Sequence, residues 1–229
     1  MAIWAISDFH LSFGVKNKPM NVFGENWNGY EEKIRENWLA KVKEDDTVLM
    51  AGDFSWGMYL EETKEDFCFL KELPGRKIMV KGNHDYWWET LSKMKKFMKE
   101  NEFEKIEFLH NNFFAVGDTA ICGTRGWEIG CEDLPAEHDK KVYIREKERL
   151  IRSLNLAKEA GYKKIVVMLH YNLSNNRDYL EIMKKYSVTN CVYGHLHGKA
   201  DPLVAENDGI LFSCTSCDLI GFDPILIEQ

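Results

Sequence analysis

Seven side chains able to bind a metal ion stand where short apolar runs give way to polar residues. Asp8 and His10 follow the run Ala2–Ser7, Asp53 follows Thr47–Ala51, and Asn83 follows Lys77–Lys81. His170 follows Lys164–Leu169, and His195 and His197 follow Thr189–Tyr193. Carboxylates, imidazoles and an amide oxygen, with no thiolate among them, suit borderline divalent cations such as Mn, Fe, Zn, Co or Ni. Seven ligands exceed what one tetrahedral ion takes, so the set fits two cations sharing one carboxylate. A lone histidine of this kind is ordinarily a hydrogen-bonded structural residue. Here five of the seven histidines (10, 84, 170, 195 and 197) fall at such run ends, while His110 and His138 read as surface residues.

The elements that must position these residues are legible from periodicity. Eight apolar runs read as buried strands: the five above, with Phe113–Val116, Thr119–Cys122 and Ile210–Cys214. Segments with helical spacing lie between them: Tyr30–Glu44, Leu60–Leu73, Tyr86–Asn101, Val142–Ala160 and Asn176–Tyr186. In the first, Ile34, Trp38 and Val42 recur four apart among charges. Strands alternating with helices predict an α/β protein with partly parallel sheets. The two runs flanking Gly117-Asp118 read as a hairpin, so the sheets are expected to be mixed. Ligand sites in α/β sheets form at the carboxyl ends of strands, and five strand ends are expected to converge there. In extended chain, residues i and i+2 share a side, so Asp8 with His10, and His195 with His197, are each expected to present two ligands together. Gly82 is expected to let the chain turn off its strand.

Composition narrows the function. Thirty basic against 37 acidic residues give a net charge of −7, which opposes polyanion binding. The basic residues are interleaved with acids, as in Tyr30–Asn37 and Ile144–Ser153, and read as solvated helix faces. No run approaches the ~18 apolar residues of a membrane span. The start of the chain lacks the positive flank of a signal peptide, so a cytoplasmic location with reduced thiols is expected. Cys214 and Cys217 form a lone C-x-x-C, read as structural. No linker or repeat divides residues 1–229, which are expected to form a single domain.

Taken in order, Asp8-Phe-His10, Gly52-Asp53, Gly82-Asn83-His84-Asp85, His170 and Gly194-His195-Leu-His197 resemble the motifs of the calcineurin-like metallophosphoesterases. The resemblance spans residues 8–197. It implies a two-sheet α/β sandwich flanked by helices, in four αββα layers, and a dinuclear metal-dependent phosphohydrolase with Mn the favoured metal. By position, Asp8, His10 and His197 would hold the first metal, Asn83, His170 and His195 the second, and Asp53 would bridge. The implied reaction is hydrolysis of a phosphomonoester or phosphodiester by a hydroxide shared between the metals. His84 is implied to be no ligand but a general acid, or a group stabilising the phosphoryl oxygens. Two departures stand out. Trp56 lies three residues after Asp53, where many members carry an acid that orients the catalytic histidine, and Asp85 is the available substitute. Gly57 stands where the protein Ser/Thr phosphatases have arginine, which speaks against phosphoprotein substrates.

Arg125, bracketed by glycines in the loop after Thr119–Cys122, is a candidate for phosphate oxygens, as are Asn172 and Arg177 just after His170. Trp27, Trp56, Trp127 and the segment Glu132–Lys141 are expected to rim the site. The expected partner is a small phosphate ester, with neither nucleic acid nor membrane. A nuclease of the same fold is disfavoured by the net charge. A catalytically silent scaffold binding a protein partner is disfavoured because His84 and all seven ligand positions are present.

Overall fold

Strands that are apolar on both faces need cover on both sides, and the chain supplies it in layers. The computed structural model describes residues 1–129, 137–198 and 202–229. One sheet contains β1 (Ile3–Ala5), β2 (Thr47–Met50), β3 (Arg76–Met79), β4 (Ile106–Phe108) and β11 (Ile225–Glu228), in the order β11-β1-β2-β3-β4. The other holds β5 (Phe114–Val116), β6 (Thr119–Gly123), β7 (Lys164–Leu169), β8 (Asn190–Tyr193), β9 (Val204–Asn207) and β10 (Ile210–Cys214), in the order β5-β6-β7-β8-β10-β9. Strands β1 to β4 run parallel, as do β6, β7, β8 and β10. The expected hairpin is present as antiparallel β5–β6, so both sheets are mixed through their edges.

Alternation along each strand builds the layers. In β7, Val166 and Met168 face the other sheet and join Ile3, Ala5, Leu49, Ile78 and Val192 in a core between the sheets. Ile165, Val167 and Leu169 point the opposite way, toward Leu150 and Leu154 of α4 (Glu137–Glu159) and Tyr179 and Met183 of α5 (Arg177–Lys185). The first sheet does the same: Val48, Met50 and Met79 face Ile34 and Trp38 of α1 (Tyr30–Lys41), Phe67 of α2 (Lys64–Lys71) and Met94 of α3 (Leu91–Glu100). The result is the αββα sandwich.

Several boundaries differ from expectation for identifiable reasons. The helix expected from Tyr86 begins only at Leu91, because Trp87 and Trp88 are buried in the core and the Trp87 indole is tied to Asp85 at 3.0 Å. Leu60–Thr63 forms a 3₁₀ turn ahead of α2. Helix α4 starts at Glu137, before the expected Val142. Within it, Ile144–Ser153 is not simply a solvated face, since Glu146 and Ser153 are fully buried. Of the expected rim segment Glu132–Lys141, residues 132–136 lie outside the described residues. Among the described residues, no helix is long and apolar enough to cross a membrane.

Candidate metal centre and active site

The five ligand-bearing segments leave the carboxyl ends of β1, β2 and β3 in one sheet and β7 and β8 in the other, and they meet at one end of the sandwich. Two groups form there. Asp8, His10 and His197 place one ligand atom each within 4.8 Å of one another, and so do Asp53, His170 and His195. The Asn83 amide oxygen completes the second group, at 2.6 Å from His170 Nε2 and 2.8 Å from His195 Nδ1. Asp53 Oδ2 lies between the groups, 3.8 Å from His10 Nε2 and 3.4 Å from His170 Nε2. In the first group, His10 Nε2 and His197 Nε2 face each other at 3.2 Å.

The chain reaches this arrangement through unusual backbone. Asp8, His10, Asp53 and His195 all have left-handed φ angles, between 48° and 70°. Non-glycine residues take that region rarely and at a cost of order 1 kcal/mol, typically where function demands it. The kink corrects the expectation from extended geometry. His195 and His197 do not share a face, and each joins a different group. The neighbouring glycines answer a need for space. A Cβ on Gly82 would sit 2.0 Å from Asp53 Oδ1, and one on Gly194 would sit 2.2 Å from Asp8 Oδ2. Gly82 has no positive φ, so close approach rather than a turn explains it.

Outer partners fix the ligands. His170 Nδ1 bonds the Ala51 carbonyl at 2.8 Å, and His197 Nδ1 bonds the Asp218 carboxylate at 2.9 Å. Either contact leaves Nε2 with its lone pair directed into the site, as a metal-binding histidine requires. Asp8 accepts from the His195 amide and the Ser216 hydroxyl, at 2.9 and 3.1 Å. Asp218 and Ser216 went unnoticed in the sequence, although they follow β10 as the ligands follow other strands. Cys214 and Cys217, beside them, are buried free thiols, and Cys217 Sγ lies 3.1 Å from the Asp8 carbonyl.

Electrostatically the centre wants positive charge. Burial, and next the Asp53 carboxylate, push Asp8 well above the usual carboxylate range. Burial likewise raises Asp53. Burial holds His10 well below its ordinary value and takes His170 and His195 down to about 4. Neutral imidazoles are the form that binds a cation, and a cation reverses the carboxylate shift. The donor set, its outer partners and its charge therefore fit two divalent ions, with no thiolate involved.

The remaining candidates separate. The His84 amide donates to Asp53 Oδ1 at 2.7 Å, and its ring packs 5.5 Å from His10 and 4.8 Å from Trp56. Trp56 also stacks on His10 at 4.8 Å, so an aromatic plate occupies the place expected of an acid. Asp85 does not orient His84. Its buried carboxylate accepts from the Gly82, Asp53 and Phe54 amides and from Trp87, while His84 Nδ1 has no partner among the described residues. Arg125 lies by the centre, its carbonyl accepting from the His170 amide at 2.8 Å and its guanidinium 4.6 Å from the Trp127 ring. Asn172 instead accepts from the Ser174 amide in a local turn. Arg177 is 90% exposed and pairs with Glu181 along α5. Neither joins the cluster. His110, read as a surface residue, is half-buried beside a cavity that Arg125 also borders. A second cavity of about 650 Å³, walled by Met20, Phe23, Trp27 and Trp56, opens onto His10, His84 and His197.

The comparisons agree with this geometry. The family model described as calcineurin-like phosphoesterase matches residues 1–199. Among solved structures, a protein of unknown function, AQ665, from Aquifex aeolicus is 21% identical with a TM-score of 0.53, covering 98% of this chain and 95% of its own. TT1561 of Thermus thermophilus is 15% identical with a TM-score of 0.58, covering 99% and 97%. Phosphopantetheinyl hydrolase from Mycobacterium tuberculosis is 15% identical with a TM-score of 0.50, covering 94% and 88%. At these identities the likeness is one of fold. Curated protein sequences gave no significant match. With the family model covering most of its length and the motif residues meeting in two ligand groups, the chain belongs to the calcineurin-like phosphoesterase family.

Proposed function

We propose that the protein is a dinuclear metal-dependent phosphohydrolase acting on a phosphomonoester or phosphodiester of a small molecule. The observation that carries this is the position of Asp53 Oδ2, within 4 Å of an imidazole from each ligand group, as a bridging ligand needs. Asp8, His10 and His197 would hold one ion, Asn83, His170 and His195 the other, with Asp53 shared; Mn is the first metal to try, then Fe, Zn, Co and Ni. When bound, two such ions lower the pKa of water and neutralise charge on phosphoryl oxygens.

The chain's own residues do the rest. His84 borders the aromatic cavity and makes no contact that would hold it as a ligand, which suits protonation of the leaving oxygen or stabilisation of the phosphoryl group. Trp56, stacked on His10 and tilted against His84, packs on both rings and helps hold them in place. The Met20, Phe23 and Trp27 wall gives an apolar leaving group somewhere to lie. Protein loaded with Mn is expected to cleave nitrophenyl phosphate or bis-nitrophenyl phosphate. His84→Ala is expected to retain two metals per chain by elemental analysis and to lose roughly 10²-fold or more in turnover. Loss of a metal in that variant would make His84 a ligand. Two bound metals without hydrolysis of any ester would indicate a silent scaffold.

A further inference from the structure

A cavity of about 610 Å³ is bordered by residues of the segments next to Asn83 and His170 and has the opposite character from the aromatic one. Four cations border it: Lys81, Arg125, Arg145 and Arg149. Two of them connect it to the centre. Lys81 precedes Asn83 by two residues, and the Arg125 carbonyl holds the His170 amide. The cavity lies between the loops that follow β3, β4 and β6 and the first half of α4.

Two acids also line it, and both are already engaged. Glu89 pairs with Lys93 at 3.1 Å. Glu146 is fully buried, accepts from the Thr124 hydroxyl, and pairs with Arg149 at 2.7 Å, with Arg145 at 4.0 Å. Lys81 and Arg125 remain. Both are half-buried, and neither pairs with a carboxylate among the described residues. The buried Arg125 Nε has no hydrogen-bond partner there either, although the Trp127 ring fixes the guanidinium in place. Partly desolvated cations held in position without a counter-ion are costly unless an anion meets them. A pocket in which two of four cations lack a carboxylate partner among the described residues, on a chain of net charge −7, suits a small anionic group, not a polymer backbone.

We propose that this cavity is a second anion subsite, which takes a phosphate group of the substrate other than the one hydrolysed. On the phosphoesterase reading above, the preferred substrates are then small molecules carrying two phosphate groups. Arginine and lysine together supply the charge-assisted hydrogen bonds that such a group requires.

Two measurements test the subsite separately from the hydrolytic reading. In the full-length protein dialysed free of metal, inorganic pyrophosphate is expected to bind saturably by titration calorimetry. Lys81→Met is expected to weaken that binding about tenfold, the loss of one charge-assisted contact. In the Mn-loaded protein, kcat/KM for propane-1,3-diol bisphosphate should exceed that for the monophosphate about tenfold. That ratio should fall toward one in Lys81→Met and in Arg145→Met, which alter different elements. A ratio near one in the unaltered protein, a ratio unmoved by both substitutions, or pyrophosphate binding indifferent to Lys81→Met would each overturn the subsite. Hydrolysis of neither ester with any of the five metals, alongside Lys81-dependent pyrophosphate binding, would overturn the phosphoesterase reading and uphold the anion site.

Discussion

The Asp85 carboxylate accepts hydrogen bonds from the amides of Gly82, Asp53 and Phe54, at 2.7 to 2.9 Å, and from the Trp87 indole at 3.0 Å. It thereby fastens the loop carrying Asp53 to the loop carrying Asn83. Burial and the adjacent Asp53 carboxylate raise its pKa, while the backbone donors pull the other way. An asparagine offers one acceptor oxygen and turns an NH₂ toward donors, so at least two of these four donors would lose their partner. At about 1–3 kcal/mol for each buried unsatisfied group, Asp85→Asn is expected to lower stability by about 2–5 kcal/mol and to weaken both metal sites together. Thermal unfolding and metal titration check this, and unchanged stability would refute the clamp. Because Asp85 acts through the backbone and not through His84, the residual activity should keep its pH profile. The candidate ligands stood out in the sequence because their types and their places after apolar runs suggest the chemistry. The surroundings of Asp85, Trp56, Lys81 and Asp218 did not, because each depends on packing between segments far apart in sequence. Asp218, for instance, meets His197 across 21 positions and Asp85 meets Asp53 across 32.

Among the elements, the central strands were read almost to the residue, and the three that went unread are edges. Strands β4, β9 and β11 end their sheets, and their sequences IEF, VAEN and ILIE mix charged or amide side chains with apolar ones because one flank meets solvent. Continuous apolar runs mark only strands covered on both faces. Strand β3 carries an exception of a different sort. Lys77 is 1% exposed, its Nζ donates to the Leu73 carbonyl, and the nearest aromatic face is Trp38 at 5.8 Å. Burial lowers its pKa from 10.5 to about 8. The unfolded chain therefore binds more protons between pH 8 and 10.5, and stability rises with pH through that window. Below pH 8 both states are charged, and the cost of burying the ammonium is felt in full. Lys77→Met removes that cost and leaves only the Leu73 carbonyl without its donor. It is expected to stabilise the protein by about 1–3 kcal/mol at pH 7, with the gain shrinking toward pH 10.5. Urea midpoints across that range decide the matter, and a loss of stability equal at pH 7 and pH 10 would contradict it.

At the scale of the molecule, the two sheets are joined by an apolar layer and, at one end, by the ligand groups. Neither group belongs to a single sheet. His197 comes from the second sheet to meet Asp8 and His10 of the first, and Asp53 comes from the first to meet His170 and His195 of the second. Periodicity alone could not show this pairing, since it identifies buried strands without saying which sheet each one enters. The same end concentrates the strain of four left-handed ligand positions and the burial of carboxylates pushed toward protonation. Cations bound there would offset both costs and hold the sheets together. A ligand bound only by the folded state at a hundred times its Kd stabilises by about 2.7 kcal/mol. For a chain of this size each kcal/mol moves the melting temperature by about 2–4 °C. Saturating Mn is thus expected to raise Tm by about 5–10 °C for each site filled, and a chelator to reverse it. Substitution of a ligand from either sheet, Asp8→Asn in the first or His197→Ala in the second, should each remove part of the shift. Calorimetric scans with and without metal measure this directly. A melting temperature indifferent to metal at concentrations that support hydrolysis would mean that the ions do not tie the sheets.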